Sequence, residues 1–322
     1  MLKKLLLVLA TLTLTAAQAF TPPKTVEVVI GFSPGSGNEI SFRQIASLVE
    51  KASPTNPRFI IMNKPGADEL IGLDYFMRVN PEPGSHIYIF GQGSPATLAA
   101  WHPNRLPRDP LDLEFVTNIA KSPLCIVTYS ENPTNTPQEF LDRLKNTKTP
   151  INIGLGAAGQ KLVFEYIMES IKGDGEKVKS IMYKGPGQAL QDIAGKQVDF
   201  AIIPSAIAAP LVKSGKLKFI AITSEHKLAQ IPEVPLMRDY IKNLDFYATW
   251  AIALPAGSSK EQIKFYQDLF VPFIRSEEAK RFFDDNLMLV FPNEHTPDGV
   301  RKSIVKTKEM WFPYAKRFPP GN

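Results

Sequence analysis

The sequence is poor in the residues from which most metal and thiol sites are built. Cys125 is the single cysteine among 322 residues, so no disulfide can form within the chain. It lies in the apolar run 124–127, which indicates a buried structural thiol rather than a nucleophile. The four histidines show no spacing to Cys, Asp or Glu that is typical of a metal site, and no H-E-x-x-H helix occurs. We therefore expect no metal, no cofactor and no enzymatic activity.

Net charge and long apolar runs are also scarce. Lys and Arg number 37 against 32 for Asp and Glu, and the Lys residues are dispersed rather than striped. This mild excess lacks the basic footprint of a nucleic-acid-binding protein. Beyond the N-terminal segment, no stretch is long and apolar enough to be transmembrane. The length suggests two domains of about 100–200 residues each.

The N-terminal residues have the pattern of a secretory signal. Lys3 and Lys4 form a positive segment, residues 5–14 are apolar, and residues 17–19 read A-x-A. The apolar run is too short to span a bilayer comfortably, and no cysteine stands near the cleavage site to carry a lipid. We expect cleavage after Ala19 and export to the periplasm.

Strands alternate with helical stretches in the first part of the mature chain. Residues 26–30 form an apolar, β-branched strand that ends in a Gly-rich turn, and apolar residues then recur at helical spacing. Further strands follow at residues 58–62 and 86–90. A βαβαβ order of this kind predicts an α/β fold with a mostly parallel sheet and helices on both faces.

The turn after the first strand is a candidate anion site. Ser36 or Asn38 can cap the following helix. The first backbone N–H groups of a helix have no partner within it, and together with the helix dipole they attract an anion. A plain βα turn that binds nothing is the alternative interpretation.

A second Gly-rich loop lies in the middle of the chain. Residues 154–159 read G-x-G-x-x-G between a strand and a helix, as in a dinucleotide site. The next strand ends in Tyr183 and Lys184, where an acidic residue should meet the ribose, and export separates the protein from nicotinamide cofactors. We therefore reject a dinucleotide but retain the loop as a cradle for a carboxylate or phosphate.

Two extended segments indicate crossings between two lobes. Residues 114–129 are extended, but Pro123 disfavours one continuous strand there, and residues 244–254 form the return crossing. Residues 259–317 are mostly helical and should pack on the first lobe. These boundaries predict a signal peptide at residues 1–19, a discontinuous lobe 1 at 20–122 plus 246–322, and lobe 2 at 123–245.

Candidate catalytic groups are few. Ser36, Ser94 and Ser205 lie in loops at strand ends, but none has a His nearby in the sequence. Glu39 and Arg43 stand four residues apart on the first helix, which is typical of a surface ion pair.

A series of short motifs resembles one family in both order and spacing. They include a strand-turn-helix opening similar to strand-PGGGTD-helix, an N-K-P-G-A turn similar to N-R-P-G-A-G-G, and a Y-K-G…G-K-Q-V-D block. On these motifs the mature chain resembles the tripartite tricarboxylate transporter substrate-binding proteins, also called the Bug family. The motifs lie at residues 29–43, 63–67, 183–199, 213–224, 231–235 and 250–257.

The resemblance implies a two-lobed type II periplasmic binding fold with a hinge and an interlobe cleft. It also implies that the protein captures a small carboxylate for a membrane transporter, and we expect a monomer. In the family the carboxylate is held by the loop after the first strand and by a facing loop of the second lobe, often through water. Carried over to this chain and extended to neighbouring strand ends, the expected ligand-binding residues are Phe32, Ser33, Gly35, Ser36, Gly37, Asn38, Gly91, Gln92, Gly156, Ala157, Ala158, Gly159, Gln160, Tyr183 and Ser205.

Several positions depart from the family pattern. Asp68 and Glu69 replace a Gly pair, and Lys161 stands where a His is common. Within the cleft, the acidic pair would repel a second carboxylate and Lys161 would attract one. We expect all three at solvated exterior positions.

Two other functions remain open from the sequence. The first is a binding module that senses a solute and signals through a membrane partner. Identification of that partner would distinguish it from a transport protein. The second is an exported enzyme on the same scaffold with Ser36 or Ser205 at its site. Turnover assays on candidate carboxylates would distinguish it from a binding protein.

Overall fold

A computed structural model describes residues 20–79, 81–91 and 93–319. The predicted signal peptide lies outside the described residues. The helices are α1 (Gly37–Ala52), α2 (Leu70–Arg78), α3 (Ser94–Trp101), α4 (Pro137–Asn146), α5 (Ala158–Ile171), α6 (Pro186–Ala194), α7 (Ser205–Lys213), α8 (Lys260–Ile274), α9 (Glu277–Asp285) and α10 (Pro297–Arg317). The strands are β1 (Thr25–Ile30), β2 (Arg58–Asn63), β3 (His86–Gly91), β4 (Glu114–Tyr129), β5 (Ile151–Leu155), β6 (Val178–Met182), β7 (Phe200–Pro204), β8 (Leu217–Ile222) and β9 (Tyr247–Leu254).

The strands form two halves of a mixed sheet that share β4. Their order is β2-β1-β3-β9-β4-β7-β5-β6, and β8 also pairs with β4. Pairing is parallel among β1, β2 and β3 and among β5, β6 and β7, as the βαβ alternation predicts. It is antiparallel wherever β4 or β9 takes part. The prediction of a mostly parallel sheet is therefore wrong for the strands that cross between the halves, because these strands do not belong to βαβ units.

The strand β4 crosses from one half to the other without a break. It runs for 16 residues, so the expectation that Pro123 interrupts it is wrong. Pro123 is the last residue that pairs with β9, opposite Tyr247, and Leu124 is the first that pairs with β7, opposite Pro204. A proline has no N–H to donate, and here it stands where the strand changes neighbours.

Each half of the sheet is covered by apolar side chains on both faces. In β1, Val28 and Val29 point to opposite faces and belong to different core clusters. In the second half, Ile202 of β7 packs with α5, and the adjacent Ile203 packs with α6 and α7. Cys125 is fully buried beside Ile203, and its Sγ donates to the Ile203 carbonyl at 3.2 Å, as expected of a structural thiol.

The C-terminal helices pack on both halves. Phe270 of α8 and Phe283 of α9 lie in the same core cluster as Phe42 of α1, as predicted. The helix α10 begins on the first half, but its Trp311 and Ala315 lie in a core cluster of the second half. The expectation that the whole C-terminal segment packs on the first lobe is therefore wrong for the end of α10. Within the described residues, no helix combines the length and the apolar character needed to cross a membrane.

Candidate functional site

A cleft lies between the two halves of the sheet, at the carboxyl ends of their parallel strands. About 640 Å³ of space lies between its walls, including the part open to solvent. Ligands of open α/β folds bind at such strand ends. Of the residues expected from the sequence, those that line the cleft are Phe32, Ser36, Gly37, Asn38, Gly91, Ala157, Gly159 and Gln160.

The turn before α1 is held in shape by a buried carboxylate. Glu39 is 6% exposed, and its Oε2 accepts from the Gly35 N–H at 3.1 Å. Asn63 Nδ2 donates to the same oxygen at 3.2 Å and to the Phe32 carbonyl at 2.9 Å. Although Arg43 pairs with Glu39 at 2.6 Å, only the Arg43 side chain is exposed. The prediction of a surface ion pair is therefore wrong for Glu39, whose buried carboxylate stabilises the turn through hydrogen bonds.

Two polar groups at the start of α1 lie at the cleft without a hydrogen-bond partner among the described residues. Ser36 occupies the N-cap position, but its hydroxyl makes no capping bond. Ser36 Oγ and Asn38 Nδ2 are buried and unpartnered, and the two residues are only 7% and 5% exposed. A buried donor without a partner is costly, so these two groups indicate a ligand position. Gly37 lies between them, and a Cβ there would come within 2.5 Å of the Trp250 ring.

The facing loop before α5 is largely satisfied by the protein itself. The Gln160 side chain folds back and accepts from the Gly156 N–H. Gly156 does not line the cleft, and a Cβ there would collide with the backbone at Pro186. The Ala158 N–H donates to Asp68 Oδ1 at 3.1 Å, and Ala158 is 1% exposed. The helix end that the sequence assigned to the ligand is thus occupied in part by a carboxylate of the first half.

Asp68 and Glu69 occupy interior positions, so the expected solvated exterior is wrong for both. Asp68 lines the cleft, and its Oδ2 accepts from Thr97 Oγ1 at 2.7 Å. Burial raises the pKa of the Asp68 carboxyl, whereas its hydrogen bonds from Thr97 and Ala158, and nearby His102, lower it.

Glu69 lies behind the cleft wall and is fully buried. Its Oε1 accepts from the Gly91 N–H at 3.3 Å and from the Tyr88 hydroxyl at 3.4 Å. Burial raises the pKa of the Glu69 carboxyl well above its usual range, and the adjacent Asp68 raises it further.

The remaining expected residues that the structure describes lie outside the cleft lining. The Tyr183 hydroxyl donates to Asp192 at 2.6 Å, and Ser33 and Gly35 form the outer part of the first turn. Lys161 is 8% exposed and pairs with Glu165 at 2.6 Å, so its expected exterior position is also wrong. Gln92 lies outside the described residues.

Among the described side chains, no histidine or carboxylate is hydrogen-bonded to Ser36 or Ser205, two of the serines considered for catalysis. Ser205 Oγ is fully buried and donates to the Leu287 carbonyl at 3.0 Å, and Ser36 Oγ has no partner. Residues 31–35 read G-x-S-x-G, but Ser33 has no positive φ and α1 begins only at Gly37. The strained strand-to-helix elbow of a hydrolase is therefore not formed at Ser33.

Much of the apolar wall of the cleft was not expected from the sequence. It comes from the start of β9 and the residue before it, from Leu124 within β4, from Pro186 at the start of α6, and from the junction of β7 with α7. The long strand-like run around Trp250 was the available signal, because a strand that crosses between lobes must pass the cleft floor. The unexpected lining residues are Asp68, Gly93, Leu124, Pro186, Pro204, Ile207, Phe246, Tyr247, Ala248, Thr249 and Trp250.

Known proteins resemble this chain in both sequence and fold. The sequence model of one protein family, the tripartite tricarboxylate transporter family receptor, matches residues 40–295 of this chain. A UPF0065 protein from the gbd 5' region of Cupriavidus necator is 24% identical over 251 residues, which are 77% of this chain and 74% of the relative.

Two solved structures share the fold. The periplasmic binding protein BugD is 20% identical with a TM-score of 0.83, and the match covers 92% of this chain and 98% of BugD. MatC from Rhodopseudomonas palustris, solved with bound malate, is 19% identical with a TM-score of 0.82, and the match covers 92% of this chain and 100% of MatC. The predicted α/β periplasmic-binding fold is confirmed.

Proposed function

The chain belongs to the tripartite tricarboxylate transporter family of receptors, and from this premise we propose that it is an exported solute-binding protein. It captures a small carboxylate in the interlobe cleft and delivers it to a tripartite tricarboxylate-type membrane transporter. The N-terminal signal pattern supports export, and periplasmic binding proteins among the similar structures support the compartment.

The observation that carries the proposal is the start of α1. Ser36 Oγ and Asn38 Nδ2 are buried donors without partners on the cleft wall, at the positive end of a helix of 16 residues. A carboxylate oxygen satisfies both donors. Each hydrogen bond to a charged group contributes about 1.5–3 kcal/mol, so a few of them approach the roughly 8 kcal/mol of micromolar binding.

The chemistry of the similar proteins supports the same ligand class. MatC was solved with malate, a dicarboxylate, and its fold matches this chain over nearly its whole length. Apolar walls from Phe32, Phe246 and Trp250 supply the surface that buries a ligand's carbon skeleton.

Calorimetric titration of small carboxylates into the purified mature protein tests the proposal. The decisive variant is Asn38→Asp, which keeps the shape of the side chain but replaces the donor with a negative charge. We expect carboxylate affinity to fall at least tenfold, a loss of about 1.4 kcal/mol. The matched control is Asn104→Asp, the same change in an exposed loop, which should leave affinity unchanged. Equal affinities of Asn38→Asp and the wild type would contradict the proposed site.

A further inference from the structure

The two helix ends that face the cleft differ in one respect. At α1, Ser36 Oγ and Asn38 Nδ2 have no partner. At α5, the Ala158 N–H already donates to Asp68 Oδ1. One end is open to an anion from outside, and the other is occupied by an anion that the protein supplies.

The Asp68 carboxylate is fixed by its surroundings. Three consecutive residues, Ala67, Asp68 and Glu69, have positive φ values of 45°, 51° and 72°. Non-glycine residues adopt this conformation at a cost and persist in it where the surrounding structure requires them, often at ligand sites. One oxygen of Asp68 accepts from Ala158 and the other from Thr97, and these two bonds favour the ionised carboxylate against burial, which raises its pKa overall.

No cation balances Asp68 on the cleft wall. Among the described lining residues, Asp68 is the single charged side chain. Lys161, the nearest candidate on α5 in the sequence, is buried against Glu165 and does not line the cleft. A second carboxylate on a ligand would therefore meet Asp68 with no cation of the described lining to offset the repulsion, because His102, which lowers the pKa of Asp68, lies outside that lining. Like charges brought together in this way are unfavourable.

We propose that Asp68 takes the position of a ligand's second carboxylate, so that the cleft selects monocarboxylates with a protonated amine at the far end over dicarboxylates. The carboxylate of the ligand lies at α1, and its ammonium group donates to the remaining lone pairs of Asp68. This inference rests on the proposed function of the cleft as a carboxylate site.

Matched pairs of probes test the selection. The pairs are succinate with 4-aminobutanoate, glutarate with 5-aminopentanoate, and adipate with 6-aminohexanoate, each titrated by calorimetry at neutral pH. In the wild type the amino acid of the best-fitting pair should bind at least tenfold more tightly than its dicarboxylate. In Asp68→Asn that ratio should shift at least tenfold toward the dicarboxylate.

The Asn substitution preserves the turn. Asn tolerates positive φ, its Oδ1 still accepts from the Ala158 N–H, and its Nδ2 can donate to Thr97. The control is Asp74→Asn on α2, which removes the same charge at a half-exposed position away from the cleft. It should leave the selectivity ratio unchanged.

The outcomes separate this inference from the proposed function. If dicarboxylates bind the wild type more tightly than amino acids, or if Asp68→Asn leaves the ratio unchanged, the assignment of Asp68 is wrong. The proposed function still stands in that case if Asn38→Asp binds a carboxylate less tightly than the wild type does. If no carboxylate of either kind binds the wild type or Asp68→Asn, the proposed function fails and the assignment of Asp68 fails with it.

Discussion

The carboxylate of Asp68 accepts a hydrogen bond from the Ala158 N–H at 3.1 Å, and this contact joins the two sides of the cleft. Asp68 lies on the turn before α2, in the first half of the molecule, and Ala158 is the first residue of α5, in the second. The bond therefore stabilises the arrangement in which the two halves are close. A motion that moves Ala158 away from Asp68 must break it.

The first prediction concerns this bond between the halves. Asp68→Gly removes the acceptor while glycine adopts the positive φ of the turn without strain. A hydrogen bond to a charged group contributes about 1.5–3 kcal/mol, which corresponds to roughly a tenfold to hundredfold change in the ratio of closed to open forms. Small-angle scattering without ligand should show a larger radius of gyration for Asp68→Gly than for the wild type. Identical profiles would show that the bond does not govern closure.

The second prediction is a steric test of the facing loop. Ala157 lines the cleft, is half-buried, and has an extended backbone that any residue adopts. Ala157→Leu should reduce carboxylate affinity at least tenfold by filling the ligand space, and the melting temperature should change little. Ala158 is a poorer site for this test because it is buried outside the lining, so a larger side chain there would disturb the core. The control is Ala52→Leu, the same change at the exposed end of α1, and affinity retained in Ala157→Leu would place the ligand elsewhere.

The βα units and the first cleft loop could be predicted from the sequence because their signals are local. A β-branched run such as that of β1 and the Gly-rich turn after it determine their own conformation, and a parallel strand end determines where the cleft lies. The motif order then identified the family, which the family model confirms.

The interior carboxylates could not be predicted because their positions depend on contacts far away in the sequence. Asp68 meets Ala158, which is 90 residues distant, and Glu69 meets Gly91 and Tyr88. Local statistics place acidic residues at the surface, and nothing local indicates three consecutive positive φ values without glycine. The burial of Glu39 could not be predicted for the same reason. Its i,i+4 spacing to Arg43 is typical of an exposed pair, but its carboxylate contacts Asn63 at the end of β2, 24 residues away in the sequence.

The third prediction concerns the pH dependence of stability. Because burial raises the pKa of Glu69 above that of the unfolded chain, its ionisation opposes folding as pH rises above the usual carboxyl range. Glu69→Gln keeps an acceptor for the Gly91 N–H and removes the charge. We expect its melting temperature at pH 7.5 to exceed that of the wild type by about 1–2 °C, the shift that roughly 1 kcal/mol produces at an entropy of unfolding of about 2 cal/mol/K per residue over about 300 residues.

The pH profile distinguishes this effect from improved packing. The advantage of Glu69→Gln should shrink as pH falls toward 4, because Glu69 of the unfolded chain then becomes increasingly protonated, as it already is in the folded chain. Asp74→Asn, which removes a half-exposed charge from the following helix, should show no such gain in stability. A gain that is constant from pH 4 to pH 7.5 would contradict the assignment to ionisation.

The fourth prediction concerns the ion pair that ties β4 to the C-terminal segment. Lys121 Nζ lies 2.6 Å from Glu294 Oε1, and the two side chains are only 10% and 7% exposed. Lys121 Nζ also donates to Ser303 on α10 at 3.1 Å, so one cation links the crossing strand to two later elements. Lys121→Met leaves the Glu294 carboxylate buried without its cation, which should lower the free energy of unfolding by about 3–5 kcal/mol. Urea denaturation measures this loss.

The matched control is Lys264→Met, because Lys264 also pairs with a carboxylate at 2.6 Å but both partners are largely exposed. Its loss should be below about 1 kcal/mol, since solvent screens an exposed pair. Adding Glu294→Gln to Lys121→Met should recover part of the stability, because the second substitution removes the charge that the first left unpaired. If the double variant is less stable than Lys121→Met, then Glu294 stabilises the fold through contacts other than the ion pair, of which the bond from Asn118 Nδ2 at 2.5 Å is the leading one.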